Sequence, residues 1–505
     1  MASLPPELRE LQAEIQGYAD EFGLDTFTTI FEVVDYRQMC EIASYGGFPV
    51  RYPHWRFGME YDHMLKSHTY GLSKIYELVI NTDPCYAYLL EGNSFVDQKL
   101  VMSHVLGHCD FFKNNLFFGH TDRRMIDVMA NNAARVRRYM DRHGVAAVES
   151  FIDVCLSLDN LIDPWAPMRE PQRARPQKST SAADDEPPEL AGSRLPSVRG
   201  YLEGYINPPE LLRAERERLK AEEEAQRRKI PRSPERDVLG FLIRHAPLES
   251  WEADIVGIIR EEAYYFLPQM QTKIMNEGWA SYWHSRIMTT RALRDDEIVD
   301  YADAASGVMA TAPGRLNPYK IGIELFRDIE ERWDKGRFGK EFDECNNLAR
   351  RDAWDLKLGR GREKIFEVRR LYNDVTFLDE FFTEDFCRRH KFFTFRENRR
   401  SGRQEIEGRE FQKIKTKLLA QLTNFGQPFI YVVDANYLNR GELLLGHRNE
   451  GQDLRLDYAR DTLRALERIW RRPTSILTVI DERPKRIRYD GSDISVTDEA
   501  SAFKA

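Results

Sequence analysis

The sequence predicts a mainly α-helical protein over its first 370 residues and a small α+β domain from 371 to 505. Three observations carry that prediction. Apolar residues recur at helical spacing through most of the first part. A proline-rich polar stretch beginning at Pro164 interrupts them. After residue 371, short runs of β-branched and aromatic residues alternate with two amphipathic segments. At roughly 100–200 residues per domain, the 505 residues fit more than one domain.

Residues 7–22 place Leu8, Leu11, Ile15, Tyr18 and Phe22 on one helical face. Gly46, Gly47 and two prolines make 45–55 a loop. Residues 62–80 and 94–105 read as helices, and 122–155 as a helix pair broken near Gly144, which completes a helical part over 1–163. From 164 to 200, prolines mix with Ser, Ala, Asp and Arg. Such a segment buries too little apolar surface to offset its ordering entropy, so 164–235 reads as a linker. Within it, 209–228 is dense in Glu, Arg and Lys. It predicts an exposed helix with i,i+4 pairs, either solvated or facing a partner.

Helical patterning returns over 236–370. Helices are expected at 238–245, 251–266, 271–291, 297–310 and 319–335, with a kink or break at Pro268. In the last part, strands are expected at 391–397, 428–434, 442–445 and 475–481. Helices at 411–422 and 456–471 are expected to pack on that sheet.

Composition excludes several functions. Lys plus Arg is 74 against 82 for Asp plus Glu, a net charge of −8, which argues against a general nucleic-acid binder. The basic, aromatic run at 388–403 reads as a solvated strand edge and turn; a nucleic-acid surface is the alternative. No apolar run approaches the roughly 18–20 residues of a membrane span. The N-terminal MASLPPELRELQAEI has neither the basic nor the apolar region of a secretory signal. The six cysteines are widely spaced without a CxxC pair, so reduced thiols and a cytoplasmic location are expected.

The sharpest chemical signal is the pair His104 and His108. At i and i+4 they share a helix face and can reach one ion. Far downstream, Asn276-Glu277-Gly278 precedes His284, two helical turns from Glu277 and on its face. This stretch resembles the second metal-site helix of gluzincin-type zinc aminopeptidases, where an Asn-Glu-Gly run supplies the third ligand. His104, His108 and Glu277 would then hold a divalent metal, zinc, with one position open for water. A buried polar network joining two helices is the alternative.

The pattern departs from that of a gluzincin at the general base. The position after the first histidine is Val105, and the position before the second is Gly107. Glu262, Asp110 and His284 are the candidate proton carriers, and His284 or Tyr265 could stabilise an oxyanion. Aromatics around His54, Arg56 and Glu60 suggest a substrate groove or an ordinary aromatic core. Asn114 and Asn115 suggest substrate amide contacts or a helix cap.

Several long runs resemble the stage V sporulation protein R (SpoVR) family. They are PHWRFGMEY (53–61), GLSKIYELVINTDPCYAYL (71–89), HVLGHCDFFKNN (104–115), MNEGWASYWH (275–284) and LNPYKIGIELFRDIEERWDKGRFG (316–339). The C-terminal part resembles the family more loosely. The resemblance implies a role in forming the spore cortex, a modified peptidoglycan. It also implies a link to a PrkA-type serine kinase and a von Willebrand A-like protein. Peptidoglycan peptides or their precursors are the expected substrates of the metal site.

Overall fold

A computed structural model describes residues 4–69, 77–169, 229–309, 316–397 and 404–500, with isolated positions at 208, 210, 213, 214, 217, 218 and 503. Most of the expected linker and of the charged helix at 209–228 lies outside the described residues. The chain forms two compact units. One comprises Met1–Ile152 and Glu261–Gln427, the other Asp153–Arg260 and Pro428–Ala505.

The elements begin with α1 (Pro6–Glu21), β1 (Thr29–Val34), α2 (Tyr36–Ser44), α3 (Trp55–Thr69), β2 (Glu77–Ile80) and β3 (Cys85–Leu90). Next come α4 (Phe95–Asn114), α5 (Met125–His143), α6 (Val145–Leu156), α7 (Val238–His245) and α8 (Ser250–Gln271). Then follow α9 (Lys273–Ile287), α10 (Ile298–Val308), α11 (Pro318–Lys335), α12 (Gly361–Leu371), α13 (Asp374–Phe381) and α14 (Glu384–Arg389). The chain ends with β4 (Thr394–Glu397), β5 (Gln404–Gly408), α15 (Phe411–Leu422), β6 (Phe429–Tyr437), β7 (Glu442–Arg448), α16 (Leu456–Trp470), β8 (Thr474–Ile480), β9 (Arg483–Tyr489) and β10 (Ile494–Asp498).

Two expectations change. The segment 62–80 is not one helix, because α3 ends at Thr69 and Glu77–Ile80 is a strand. Pro268 does not break α8, which runs on to Gln271. The first unit also holds a sheet that the helical reading missed. Its order is β1-β3-β2, with β1 parallel and β2 antiparallel to β3. Central strand β3 is buried on both faces. Cys85, Ala87 and Leu89 enter the large core, while Tyr88 and Leu90 pack with Met39, Phe48 and Tyr265. A strand covered on both sides loses the alternation that marks a strand in sequence.

Helix α4 is the axis of the first unit. Ser94 caps it through a reciprocal bond with Asp97. Nearly every residue from Val96 to Phe112 is buried, so the helix is covered all round. Helix α9 lies between α4 and α11, and small residues set both contacts. A Cβ at Gly278 would sit 2.4 Å from Gly322 Cα, and one at Gly322 would sit 2.3 Å from Ile274 O. A Cβ at Gly107 would sit 2.7 Å from Ala280 Cα. Positions 278 and 280 are about 200° apart around a helix, so α9 meets α4 and α11 on opposite sides.

Buried carboxylates pin this stack. Asp110 on α4 accepts from Trp279 Nε1 of α9 (2.7 Å), Arg369 Nη1 of α12 (3.0 Å) and the Asp25 amide (2.8 Å). Burial pushes its carboxyl up to about 6, against the pull of Arg369. Asp374 on α13 accepts from the Ile274 and Met275 amides at 2.8 and 2.9 Å, the first turn of α9. These bonds bring residues 361–381 into the first unit. Ile414 joins the same core, so α15 belongs to the first unit.

The second unit centres on a five-stranded sheet of order β10-β9-β8-β7-β6. Its pairs are antiparallel except β7 with β8, where Leu444 faces Ser475. Helix α16 buries Leu463, Leu466, Ile469 and Trp470. Trp470 Nε1 donates to Gly441 O at 2.8 Å. Buried Glu442 binds Ser475 Oγ at 2.6 Å and Arg488 Nε at 3.0 Å.

Two stability tests follow from the stack. Gly322→Ala and Gly107→Ala should each lower unfolding free energy by about 3 kcal/mol in urea melts. Gly17→Ala on exposed α1, with nothing within 4 Å of the added carbon, should be neutral or stabilising. Equal effects at all three positions would contradict the close approach. Burial also pushes the Asp374 carboxyl up to about 7 from 3.8, opposed by the two amides and Lys273. A carboxyl raised by folding favours the native state while it stays protonated. That stability falls above pH 3.8 and is lost once pH passes about 7. Asp374→Asn should therefore gain stability relative to the parent as pH rises through that window, by up to about 1.4 kcal/mol per unit. A pH-independent difference would show a carboxylate charged throughout.

Candidate metal centre

Among the described residues, His104, His108 and Glu277 bring three ligand atoms within 4.8 Å of one another, all on buried side chains. The histidines project from α4 one turn apart, and Glu277 projects from α9 across the Gly107–Ala280 contact. Each imidazole Nε2 lies 3.5 Å from the same oxygen, Glu277 Oε2. That is long for a hydrogen bond, and Oε2 is buried without one. Ligand atoms about 2.0–2.1 Å from a tetrahedral ion stand about 3.3–3.4 Å apart, close to the observed spacing. The three residues could hold a metal ion.

The surrounding bonds fix which atoms can ligate. His108 Nδ1 lies 2.8 Å from Asn276 Oδ1, which can only accept. Nδ1 therefore carries the proton and Nε2 keeps its lone pair. His104 Nδ1 lies 2.8 Å from His284 Nδ1, so one proton lies between the two rings. With that proton on His104, its Nε2 is likewise free of hydrogen. Burial, then the neighbouring His104 and His108, hold the His284 pKa well below 6.5, so this ring is neutral. Burial pushes the Glu277 carboxyl up. Its interactions with His104 and His108 and the Lys273 charge outweigh burial and hold it well below 4.5. Lys273 Nζ donates to Glu277 Oε1 at 2.6 Å, which leaves Oε2 turned to the imidazoles.

His108 and Glu277 open on a cavity of about 720 Å³. Its polar lining includes His108, Glu277, Asn276, Lys273, Gln269 and Gln421. Leu78, Phe112, Phe266, Met270, Leu422 and Phe425 form much of its apolar wall. Tyr319, in the first turn of α11, also lines it and stacks on His104 with 6.2 Å between centroids.

The other candidates lie elsewhere. Glu262 is buried against Arg51 and Tyr52, and burial raises its carboxyl against the pull of Arg51. Asp110 is bound by Arg369 and Trp279. His284 does reach the triad, through His104. Tyr265 donates to Asn81 O at 3.1 Å within the second core cluster. His54 is buried and accepts from the Arg56 amide at 3.3 Å, while Arg56 and Glu60 are exposed on α3. Asn114 donates to Asp110 O and Asp25 O. Asn115 donates to Arg369 O and Tyr372 O. None of these five lines the cavity. Cys109 Sγ accepts from Thr29 Oγ1 at 3.4 Å and is not in the triad. In the basic run, Arg388 pairs with Glu384 and Arg389 with Asp328, while 398–403 lie outside the described residues.

Sequence reasoning missed Asn276, Lys273 and Tyr319. The first two were within reach of it. Lys273 is one helical turn before Glu277, the i,i+4 spacing of an ion pair. Asn276 is its direct neighbour in the Asn-Glu-Gly run. Tyr319, Gln421 and Phe425 carry no local signal, because only tertiary packing brings them to the cavity.

The structure describes no helix long and apolar enough to cross a membrane among the described residues. The family description "SpoVR like protein" matches residues 3–427, a span that includes the triad and the whole cavity lining. The protein named Uncharacterized protein YcgB, from Escherichia coli (strain K12), is 30% identical over 434 residues, covering 81% of this chain and 79% of that protein. No solved structure matches this chain. Matched over most of its length, and across every residue of the candidate centre, the chain belongs to the SpoVR-like family.

Proposed function

We propose that this protein is a zinc-dependent amide hydrolase acting on the peptide part of peptidoglycan or its precursors, in the cytoplasm and in the service of spore-cortex or envelope assembly. The observation that carries the reading is the convergence of two imidazole nitrogens and one carboxylate oxygen beside a cavity. As in gluzincin aminopeptidases, one helix supplies both histidines and another the carboxylate. When bound, the ion lowers the pKa of bound water to about 7 and polarises a carbonyl.

The chain's own residues prepare that site. Asn276 and His284 hold the two imidazoles with Nε2 free to ligate. Lys273 holds Glu277 by its other oxygen. Of the three candidate proton carriers, His284 is the one in contact with the triad, and we assign it a positioning role through His104. The cavity, rather than the 52–61 segment, is the substrate space in this reading.

A second reading is a non-enzymatic scaffold partnering a PrkA-type serine kinase, with the histidine–glutamate cluster as a metal-free structural network. One observation favours it. Val105 is fully buried and Gly107 is closed by Ala280, so neither usual position of a glutamate base is open.

Elemental analysis separates the outcomes. The purified protein should carry about one zinc per chain, and His108→Ala and Glu277→Ala should carry none. A wild type that stays metal-free after incubation with zinc would sink the hydrolase reading. Asn276→Ala should bind zinc about 10–100-fold more weakly with unchanged helical circular dichroism. Undiminished affinity would remove the orienting role of that amide. Zinc-loaded protein should release amino groups from peptidoglycan stem peptides, and His108→Ala should not.

A further inference from the structure

The cavity beside the triad is unevenly charged. Among the described residues of its lining, Lys273 is the one lysine or arginine and Glu277 the one carboxylate. The Lys273 side chain is 59% exposed, against 7% for Glu277. Its ammonium spends one contact on Glu277 Oε1 at 2.6 Å. An ammonium has three N–H donors, so two remain to offer to another acceptor. The nearby Asp374 turns one lone pair of each oxygen to a backbone amide of α9. With a divalent ion sharing the same glutamate, the cavity has an excess of positive charge and selects for an anion.

The geometry narrows the anion further. Lys273 grips one oxygen of the Glu277 carboxylate, and the two imidazoles face the other. The ammonium and the ligand atoms thus flank a single carboxylate group. One residue of peptide spans about 3.3–3.6 Å, so the last peptide bond lies one such step from a bound terminal carboxylate. A ligand carboxylate on Lys273 therefore puts the peptide bond before its last residue at the triad. The apolar wall of Phe112, Phe266, Met270 and Leu422 suits an aliphatic side chain, and Gln269 and Gln421 offer amides to a peptide backbone. A volume of about 720 Å³ falls in the range of small-molecule pockets and holds a short peptide end.

We propose that Lys273 is a carboxylate receptor and that the cavity takes peptides by their free C-terminal end, releasing the last residue. The release step rests on the hydrolase reading above; the receptor does not. In that step water adds across the last peptide bond. A C–O bond forms at the carbonyl carbon, the C–N bond breaks, and the departing nitrogen takes a proton to leave as a free amino acid.

The test uses the full chain and two probes, N-acetylalanylalanine and its C-terminal carboxamide. Binding is measured by calorimetry on metal-free and zinc-loaded protein, and turnover by amine release. Wild type should bind the acid about tenfold or more tightly than the carboxamide, the scale of a charge-assisted contact. Lys273→Met should bring the two within about twofold, and Lys273→Arg should keep most of the preference. A preference that Lys273→Met abolishes, without turnover of either probe, supports the receptor and refutes the hydrolase reading. Equal binding and equal turnover of acid and carboxamide by wild type overturn the receptor and leave the hydrolase reading standing. Binding of neither probe overturns the receptor. The wild-type ratio alone decides this, so the result survives if a variant fails to fold.

Discussion

The structure depends on how closely three helices approach. Gly278 and Gly322 let the backbones of α9 and α11 touch, and Gly107 lets α4 meet α9 at Ala280. Those contacts fix the distance from the histidines of α4 to Glu277 of α9. A methyl group at either crossing would have to push the helices apart by about 1 Å, enough to distort a ligand set held at metal–ligand distances. Packing and ligand geometry are therefore one constraint. The glycines that unite the core also set the 3.5 Å spacing of the triad.

Charge is buried around this stack, and it is paired. Asp110 binds Arg369, Lys99 binds Glu297 at 2.7 Å, and Glu262 binds Arg51. Breaking such a pair leaves one uncompensated buried charge, at a cost of about 3–5 kcal/mol. The first two pairs hold α4 to neighbours distant in sequence. Asp374 works differently, with no arginine partner among the described residues. Its carboxyl holds the first turn of α9 through two amides and so orients the helix that carries Lys273, Asn276 and Glu277.

Much of this was legible in the sequence. The i,i+4 histidines and the glutamate two turns before His284 mark the triad, because helical periodicity alone puts each set on one face. Helices with a strong apolar stripe, such as α1 and α16, and helices with clear start signals, such as α11, fall close to where periodicity places them. Other features were hidden for physical reasons. Strand β3 is buried on both faces and does not alternate. Residues 361–422 join the first unit through contacts such as Asn115 with Arg369, more than two hundred positions apart. Pro268 sits inside α8 without ending it, so tertiary packing overrides local preference there. The absence of glutamate at 105 and 107 was visible, but its cause was not. Both positions are occupied by packing, one inside the core and one against a helix backbone.

Gly107 has a consequence for the protein's evolution. The residue that stands where an inverse-motif enzyme keeps its base is also the one that lets two helices cross. A single substitution to glutamate at this site would have to separate α4 from α9, and so would dismantle the ligand set the new base was meant to serve. The inverse-motif route to a base is thereby closed to a single substitution. Any descendant that gains that base must first remodel the helix crossing, and any ancestor that lost it had little chance of return.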